Sequence, residues 1–484
     1  MKTKLFSLIL LTLFSFTIAI TSCKKDSNTP PAAPKQSAYV EDWIYSNMKY
    51  WYFWTSQMPT NPDTTLQPSP FFSSLLYRAT DGDRFSWIEP DYTTLINQLN
   101  GVNTEAGFDF KLYLQSSTST NVIGQITYIK KGSPAETAGL MRGDIFYKIN
   151  GTQITTTNYQ TLLTATSSPF TVNVQRYNTD TQALISDQLY SLVPVKLAEN
   201  PVLMDSVYTF PVSGRKVGYL VYNFFSPGVG TSTVYDQEVD NIFATFKASG
   251  VNEVVLDLRF NGGGAISSAI NLASSLVPAY TTDKIFVNFQ YNNQVQSDII
   301  NDPNYGVAYL HQKFIAKASN IGANLSRIFV LTSKGTASAS ELIINGLRPY
   351  ITVTTIGDTT YGKNVGSITI TDTKNTSNTW GMQPIVLKLT NSDGFSDYTN
   401  GFAPDPTNLV LDNHFYLRPL GDIQEPLLNK ALSTITDGKL MKSVQPAAMA
   451  RQEIKGANQQ LLNPHKTTMY LSPEMTPKHK MPLY

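Results

Sequence analysis

Residues 251–264 read VNEVVLDLRFNGGG, and this stretch decides the class of the fold. Val251 to Arg259 carries a continuous apolar run, which is typical of a strand buried on both faces of a sheet. The glycines at 262–264 predict a turn, and 265–276 follows as a helix. A strand at 328–331 with its own helix repeats this order. Strands that alternate with helices predict a layered α/β domain.

Two nucleotide-binding motifs can be tested at these glycines. The turn at 262–264 lacks the G-x-G-x-x-G spacing of a dinucleotide site. Residues 357–364 read GDTTYGKN, but Asn364 replaces the hydroxyl residue that would hold magnesium, and a β-rich stretch follows where a phosphate site needs a helix. Nucleotide binding is therefore not expected. A net charge of +1 without long basic blocks also argues against a nucleic-acid partner.

A serine and a lysine in this half of the chain suggest a nucleophile and its base. Ser338 lies in GTASASE at 335–341, and Lys363 follows 25 residues later, directly after a glycine. A serine hydroxyl needs a group that removes its proton, and a lysine can do so when burial lowers its pKa. The four histidines fall in no recognisable triad motif; they are His311, His414, His465 and His479. The pattern indicates a Ser/Lys pair that cuts peptide bonds without a metal or an organic cofactor.

Residues 105–195 form a separate unit. The strings GSPA at 132–135 and AGL at 138–140, with Asn-Gly at 150–151, predict a short helix between two strands. This unit closely resembles a PDZ domain, a module that binds peptides by adding a strand to its sheet edge. The resemblance implies that a peptide C-terminus is accepted by four residues, Gly107, Phe108, Asp109 and Phe110. The alternative is a PDZ-like module that only packs against its neighbours.

Three segments resemble the signatures of the carboxy-terminal processing peptidases, also called tail-specific proteases. They are LDLRFNGGG at 256–264, TASASE at 336–341 and YGK at 361–363. The family's order of domains matches this chain from about residue 39 to 437. The resemblance therefore implies a multidomain α/β protein with a small N-terminal helical domain, a PDZ (α+β) domain and a crotonase-like α/β protease core.

The same resemblance assigns roles in the site. Ser338 corresponds to the nucleophile and Lys363 to the base. The oxyanion hole corresponds to the amide of Ala339 with a glycine of the turn, either Gly263, which we prefer, or Gly264. These donors would stabilise the charge that develops on the scissile carbonyl oxygen.

Two rival nucleophiles and a third catalytic position stay open. Ser340 and Ser333 lie close to Ser338 in sequence, and Ser340 is otherwise explained as the cap of a helix that begins near Glu341. Many family members carry a glutamine four residues after the lysine to orient its amine. This chain has Ser367 there; its hydroxyl could accept a hydrogen bond from the lysine, or Asn364 could substitute.

The first residues predict export and a lipid anchor. A basic start at 1–4 and an apolar run at 5–20 are typical of a secretory signal that is too short to span a membrane. Small residues directly before Cys23, the only cysteine, resemble a bacterial lipobox. We therefore expect a protein anchored through Cys23 in the bacterial cell envelope, on its periplasmic or cell-surface face. An ordinary signal peptide with an incidental cysteine is the alternative.

These patterns divide the chain into six segments. They are a signal peptide at 1–23, a flexible tether at 24–38, a helical cap at 39–104, the PDZ domain at 105–195, the peptidase core at 196–437 and a loosely ordered extension at 438–484.

The predicted function is a serine endopeptidase that cleaves extracytoplasmic proteins or peptides and recognises their C-terminal tails through the PDZ domain. Two alternatives remain. One is a catalytically inactive peptide-binding scaffold lipoprotein of the same fold, and the other is a crotonase-like acyl-CoA enzyme. The sequence makes no prediction of the oligomeric state.

Overall fold

The computed structural model describes residues 39–80, 82–178, 180–181, 183–278, 283–414, 416–438, 452–458 and 467–478. The predicted signal peptide, the tether and Cys23 lie outside these ranges. No helix within them is long and apolar enough to cross a membrane.

The N-terminal cap packs directly on the peptidase core. Its elements are α1 (Tyr39–Trp51), α2 (Pro68–Ser74), β1 (Trp87–Glu89) and α3 (Tyr92–Leu99). The buried faces of α1 and α2 belong to the same apolar cluster as the main sheet of the core. The cap is therefore a layer of the peptidase core, because it has no apolar interior of its own.

The PDZ domain is a twisted antiparallel sheet with two short helices. Its elements are β2 (Val102–Glu105), β3 (Phe108–Leu114), β4 (Val122–Ile129), α4 (Pro134–Thr137), β5 (Ile145–Ile149), β6 (Thr152–Gln153), α5 (Tyr159–Thr164), β7 (Phe170–Asn178), β8 (Ala183–Leu192) and β9 (Val195–Ala198). Strands β3, β4, β5, β7 and β8 are neighbours in that order. The helix α4 starts where the Ser-Pro pair predicts it, with Ser133 accepting a hydrogen bond from Glu136 N.

The first layer of the core is the predicted α/β sheet. It contains β10 (Val202–Phe210), β11 (Arg215–Tyr222), β12 (Glu253–Asp257), β16 (Arg327–Thr332) and β17 (Thr352–Gly357), in that spatial order. All neighbours from β11 to β17 are parallel. Its principal helices are α6 (Val234–Ala248), α7 (Ile266–Leu276), α9 (Ala339–Leu347) and α10 (Pro426–Ile435). The predicted fold class is confirmed.

A second sheet lies beside the catalytic half of the core. Its strands in chain order are β13 (Gly264–Ala265), β14 (Ile285–Tyr291), β15 (His311–Lys313), β18 (Val365–Ser367), β21 (Ile385–Thr390) and β23 (Met469–Tyr470), with α8 (Asn293–Asn301) after β14. In space their order is β13-β23-β18-β21-β14-β15. The short strands β19 (Ile370–Thr371) and β20 (Gly381–Gln383) pair with each other, and β20 also pairs with β1 of the cap.

Buried ion pairs join the PDZ domain to the core. Lys130 Nζ lies 2.7 Å from the carboxylate of Glu199, at the start of the core, and Arg142 lies 2.8 Å from Asp412. Removing one partner of a buried pair leaves an uncompensated charge, which is strongly destabilising. The PDZ domain is thus held in a defined orientation over the active-site side of the core.

The C-terminal extension departs from the expectation of loose order. Among its described residues, Glu453–Asn458 form β22 on the edge of the PDZ sheet, and Met469–Tyr470 form β23 inside the second sheet of the core. Each strand completes its hydrogen bonds on a sheet that already exists. A short polar segment can therefore become a strand without a strand-like sequence pattern of its own.

Candidate active site

Ser338 lies at the start of α9 in a strained backbone conformation. Its φ is 67°, in the left-handed region that residues other than glycine seldom adopt. The turn is tied to the glycine-rich turn by Ala337 N, which donates to Asn261 O at 3.1 Å, and by Thr336 Oγ1, which donates to Leu258 O at 2.8 Å. Strain of this kind persists where the surroundings over-determine it, and it clusters at functional sites.

The three candidate serines differ in what their hydroxyls do. Ser340 Oγ donates to Asn261 O at 3.0 Å, and Ser333 Oγ donates to Arg259 O at 2.5 Å. Ser338 Oγ is buried and has no hydrogen-bond partner among the residues that the structure describes. The prediction that Ser340 caps a helix starting near Glu341 is wrong, because α9 begins at Ala339 and Ser338 occupies the N-cap position. Ser338 is thus the hydroxyl left uncommitted.

Lys363 is buried against the cap. Its side chain is 1% exposed, and Nζ lies 4.6 Å from the ring centre of Phe85. Burial lowers the pKa of Lys363 from its ordinary 10.5 to about 7. Nζ donates to the carbonyl oxygen of Thr467 at 2.8 Å and makes no hydrogen bond to Ser338. The lysine therefore has the properties of a base, but in this structure its amine is engaged by the C-terminal segment.

Glu341 connects the two catalytic segments, a role that the sequence did not reveal. Its buried Oε2 accepts from both Ser338 N and Lys363 N at 2.8 Å, and Oε1 accepts from Gly362 N at 2.7 Å and Thr360 Oγ1 at 2.6 Å. Burial raises the pKa of this carboxyl, while these four donors act in the opposite direction. One side chain thus fixes the spacing between the backbones of Ser338 and Lys363, the predicted nucleophile and base. The one signal in the sequence that could have indicated this role is an acidic residue in a segment that otherwise contains small, uncharged residues.

The glycine turn at 262–264 packs closely against Ser338, the predicted nucleophile. A Cβ on Gly263 would lie 2.5 Å from Ser338 Cβ, and the φ of +113° also requires glycine there. Gly263 N, however, donates to Asn261 Oδ1 at 2.8 Å, so this amide is already used. Phe225 N donates to Gly263 O and Ala265 N donates to Phe225 O, so the amide of Gly264 faces the opposite side, where Gly264 pairs with Met469 of β23. Both glycines are thus engaged in this structure, and the pairing of Ala339 with Gly263, or with Gly264, stays a prediction.

The hydrogen bonds of Ser367, the predicted third catalytic residue, differ from those expected. Ser367 Oγ donates to Met469 O at 2.9 Å and accepts from Gln383 Nε2 at 3.0 Å. It makes no hydrogen bond to Lys363, so its role in orienting the amine stays a prediction. Asn364 does not substitute, because its amide donates to Ser396 O at 2.6 Å. A buried glutamine is nevertheless present, contributed by β20.

Two of the histidines lie in the described residues, and neither meets the serine. His311 Nδ1 pairs with Asn288 Oδ1 at 2.7 Å at the far edge of the second sheet. The backbone carbonyl of His414 accepts from Gln125 Nε2 at 3.2 Å on the PDZ side. His465 and His479 lie outside the described residues.

The predicted peptide-binding residues form the start of β3. Gly107 has a φ of +85°, and a Cβ there would lie 2.2 Å from Ser133 Cβ. The side chains of Phe108 and Phe110 are buried in the PDZ core, while Asp109 alternates to the other face and is half-buried.

A cavity of about 270 Å³ joins the PDZ domain to the catalytic turn. On the PDZ side it is lined mainly by apolar residues, Phe108, Phe110, Phe146, Leu163 and Phe170. Gly263, Gly264 and Tyr470 close the opposite side. The cavity therefore brings together two predicted sites that are about 150 residues apart in the sequence.

Comparison with known proteins supports this assembly. Three family models match: the Peptidase S41 N-terminal domain over residues 39–87, a PDZ domain over 125–176 and Peptidase family S41 over 216–407. The chloroplastic carboxyl-terminal-processing peptidase 2 of Arabidopsis thaliana is 27% identical over 235 residues, 48% of this chain and 40% of that protein. The carboxy-terminal processing protease CtpA of Bacillus subtilis is 22% identical over 274 residues, 57% of this chain and 51% of that protein.

A solved structure extends the likeness to all three domains. The crystal structure of a Bacteroides fragilis protein described as an S41 protease superposes with a TM-score of 0.67 at 28% identity. That match covers 84% of this chain and 99% of the other. The chain spans about half the length of the curated relatives it matches.

Fold and matches together define a chain with an S41 N-terminal domain, a PDZ domain and an S41 peptidase domain. It carries the domains of peptidase family S41, as the signature segments predict.

Proposed function

We propose that this protein is a serine endopeptidase in which Ser338 is the nucleophile and Lys363 the general base. The observation that carries the proposal is the pairing of an uncommitted serine hydroxyl in a strained turn with a fully buried lysine, both held on one carboxylate oxygen of Glu341. A lysine with a pKa of about 7 is half neutral near physiological pH, where a general base is most effective.

In the proposed reaction, neutral Lys363 Nζ takes the proton of Ser338 Oγ as this oxygen bonds to the peptide carbonyl carbon. The carbonyl electrons move onto its oxygen, which accepts hydrogen bonds from the amide of Ala339 and from that of Gly263 or Gly264. The lysine ammonium then protonates the leaving nitrogen as the C–N bond breaks. A water molecule, deprotonated by the same lysine, hydrolyses the acyl-enzyme ester and restores Ser338.

Substrates would enter through the PDZ domain as unstructured C-terminal tails. The support is the position of Gly107–Phe110 at the start of β3 and the apolar cavity that leads from there to the glycine turn. A peptide added to β3 would gain main-chain hydrogen bonds, and the cavity would favour an apolar side chain near its end.

We further propose a lipid anchor at Cys23 that holds the enzyme in the bacterial cell envelope, facing the periplasm or the cell exterior. The support is the basic start, the apolar run and the small residues before the single cysteine. Replacing Cys23 with Ser should move the protein from the membrane fraction to the soluble fraction of cells that export it. Unchanged membrane retention would contradict the anchor.

The rate of peptide hydrolysis should follow the neutral fraction of Lys363. We expect kcat/KM for an uncharged fluorogenic peptide to rise about tenfold per pH unit below about pH 7 and to level off above it. The sign follows from the base: protonation at low pH removes the lone pair that accepts the serine proton. A rate that is constant between about pH 5 and about pH 8, or that falls as the pH rises, would contradict a lysine base.

A further inference from the structure

The C-terminal segment occupies the peptide edge of the PDZ domain. Strand β22 pairs antiparallel with β3, in a register that places Glu453 opposite Tyr113 and Asn458 opposite Lys111. Leu114 N donates to Gln452 O at 2.9 Å, and Ile454 packs against the apolar core of the domain. The other edge of β3 is covered by β4. Antiparallel addition to this free edge is the way in which PDZ domains hold a peptide.

The same segment then occupies the catalytic cleft. Strand β23 lies between β13 and β18, parallel to both, with Met469 opposite Gly264 and Tyr470 opposite Ser367. Strand β23 therefore lies between the glycine turn at 262–264 and β18, the strand that follows Lys363. The position is the one that an extended substrate would need in order to present a carbonyl to Ser338.

Polar contacts from the catalytic residues hold this strand. Lys363 Nζ donates to Thr467 O at 2.8 Å, and Ser367 Oγ donates to Met469 O at 2.9 Å. Leu471 N donates in turn to Ser367 O at 3.0 Å. The groups expected to act on a substrate are thus hydrogen-bonded to the chain's own backbone.

Burial shows that a substrate cannot share the cleft with this strand. The side chains of Met469 and Leu471 are 0% and 1% exposed, so β23 is packed into the core rather than lying on its surface, and Ser338 is 0% exposed as well. With β23 in place, the amine of Lys363 is held on Thr467 O, and Gly264 and Ser367 are paired with Met469 and Tyr470, so an extended substrate has no open strand edge beside them. Hydrolysis therefore requires that β23 move out of the cleft.

We propose that residues 452–458 and 467–478 act as an internal inhibitor, the first pairing with the peptide edge of β3 and the second occupying the catalytic cleft of its own chain. This inference rests on the proposed peptidase function. The latent enzyme becomes active when the segment is displaced, and an unstructured polypeptide with a free C-terminus competes for the same two places. The population of the open form sets the basal rate of hydrolysis.

Full-length variants with one new carboxylate test the proposal. Met469→Asp places an unpaired charge in the buried cleft and should expel β23, because burying an ion without a partner is costly. Hydrolysis of an unstructured peptide that ends in valine should rise about tenfold or more. Pro473→Asp adds the same side chain at an exposed position of the segment and should leave the rate unchanged. Thermal unfolding is followed for both variants.

A binding measurement separates this inference from the proposed catalysis. In a Ser338→Ala background, Ile454→Asp should free the edge of β3 and tighten binding of a fluorescein-labelled peptide ending in valine about tenfold, whereas Pro473→Asp should not. If this gain appears while no variant hydrolyses peptide, the blocking of the peptide edge by the chain's own segment stands and the proposed peptidase fails.

Two outcomes overturn the inhibitor. One is that both Asp variants in the buried positions leave hydrolysis and binding unchanged. The other is that Met469→Asp loses hydrolysis with a lowered unfolding temperature, because β23 would then be a permanent part of the active fold.

Discussion

Ser338→Ala is expected to lower the rate of peptide hydrolysis by a factor of about 10³ or more, because no other described hydroxyl in the turn is free to attack. Labelling by a fluorophosphonate probe should disappear with the activity. The protein should remain folded, since Ser338 Oγ has no partner among the described residues that the change would leave unsatisfied. Hydrolysis rate, probe labelling and thermal unfolding are measured together.

Ser340→Ala is the matched control for this variant. Its hydroxyl donates to Asn261 O, so we expect a modest loss of stability with labelling retained at Ser338. The nucleophile assignment would be wrong if Ser340→Ala abolished labelling while Ser338→Ala kept it.

Lys363→Arg should abolish hydrolysis to a similar extent, although it retains the positive charge. A guanidinium cannot lose its proton in a protein and so cannot accept one from serine. Lys363 is buried, and a permanent charge without a partner is costly to bury there, whereas a neutral amine is not. The unfolding temperature of the variant should therefore fall. Hydrolysis at about pH 8 and thermal unfolding are the measurements.

Lys363→Met separates the loss of the base from the loss of structure. Methionine fills a similar volume without burying a polar amine, so this variant should be inactive and yet at least as stable as the parent protein. Activity retained in either variant would exclude Lys363 as the base.

Much of the site could be read from the sequence because its chemistry lies in contiguous segments. TASASE contains the predicted nucleophile and the neighbouring amide donor, whereas the role of its Glu341 appears only in the structure. The buried strand before the triple glycine and the helix after it were also predictable, because a continuous apolar run and a glycine turn are local signals.

Other features depend on distances that no local pattern reports. The hydrogen bond of Gly263 N to Asn261 Oδ1 and the pairing of Gly264 with Met469 arise only in the folded chain, as does the start of α9 directly after Ser338. Gln383 meets Ser367 only because two strands are brought side by side. These are consequences of packing, so sequence spacing alone could not decide them.

The sequence by itself predicted the family, the order of the domains and the proposed Ser338–Lys363 pair, because residue types in short segments specify that chemistry. Only the tertiary structure decided where the C-terminal segment lies. Lys363 and Thr467 are 104 positions apart, and β23 is two residues long. The hydrogen bonds of β23 are made with β13 and β18, which are built by distant parts of the chain. Because these bonds use backbone groups, which every residue type has, the sequence of the segment itself does not indicate them.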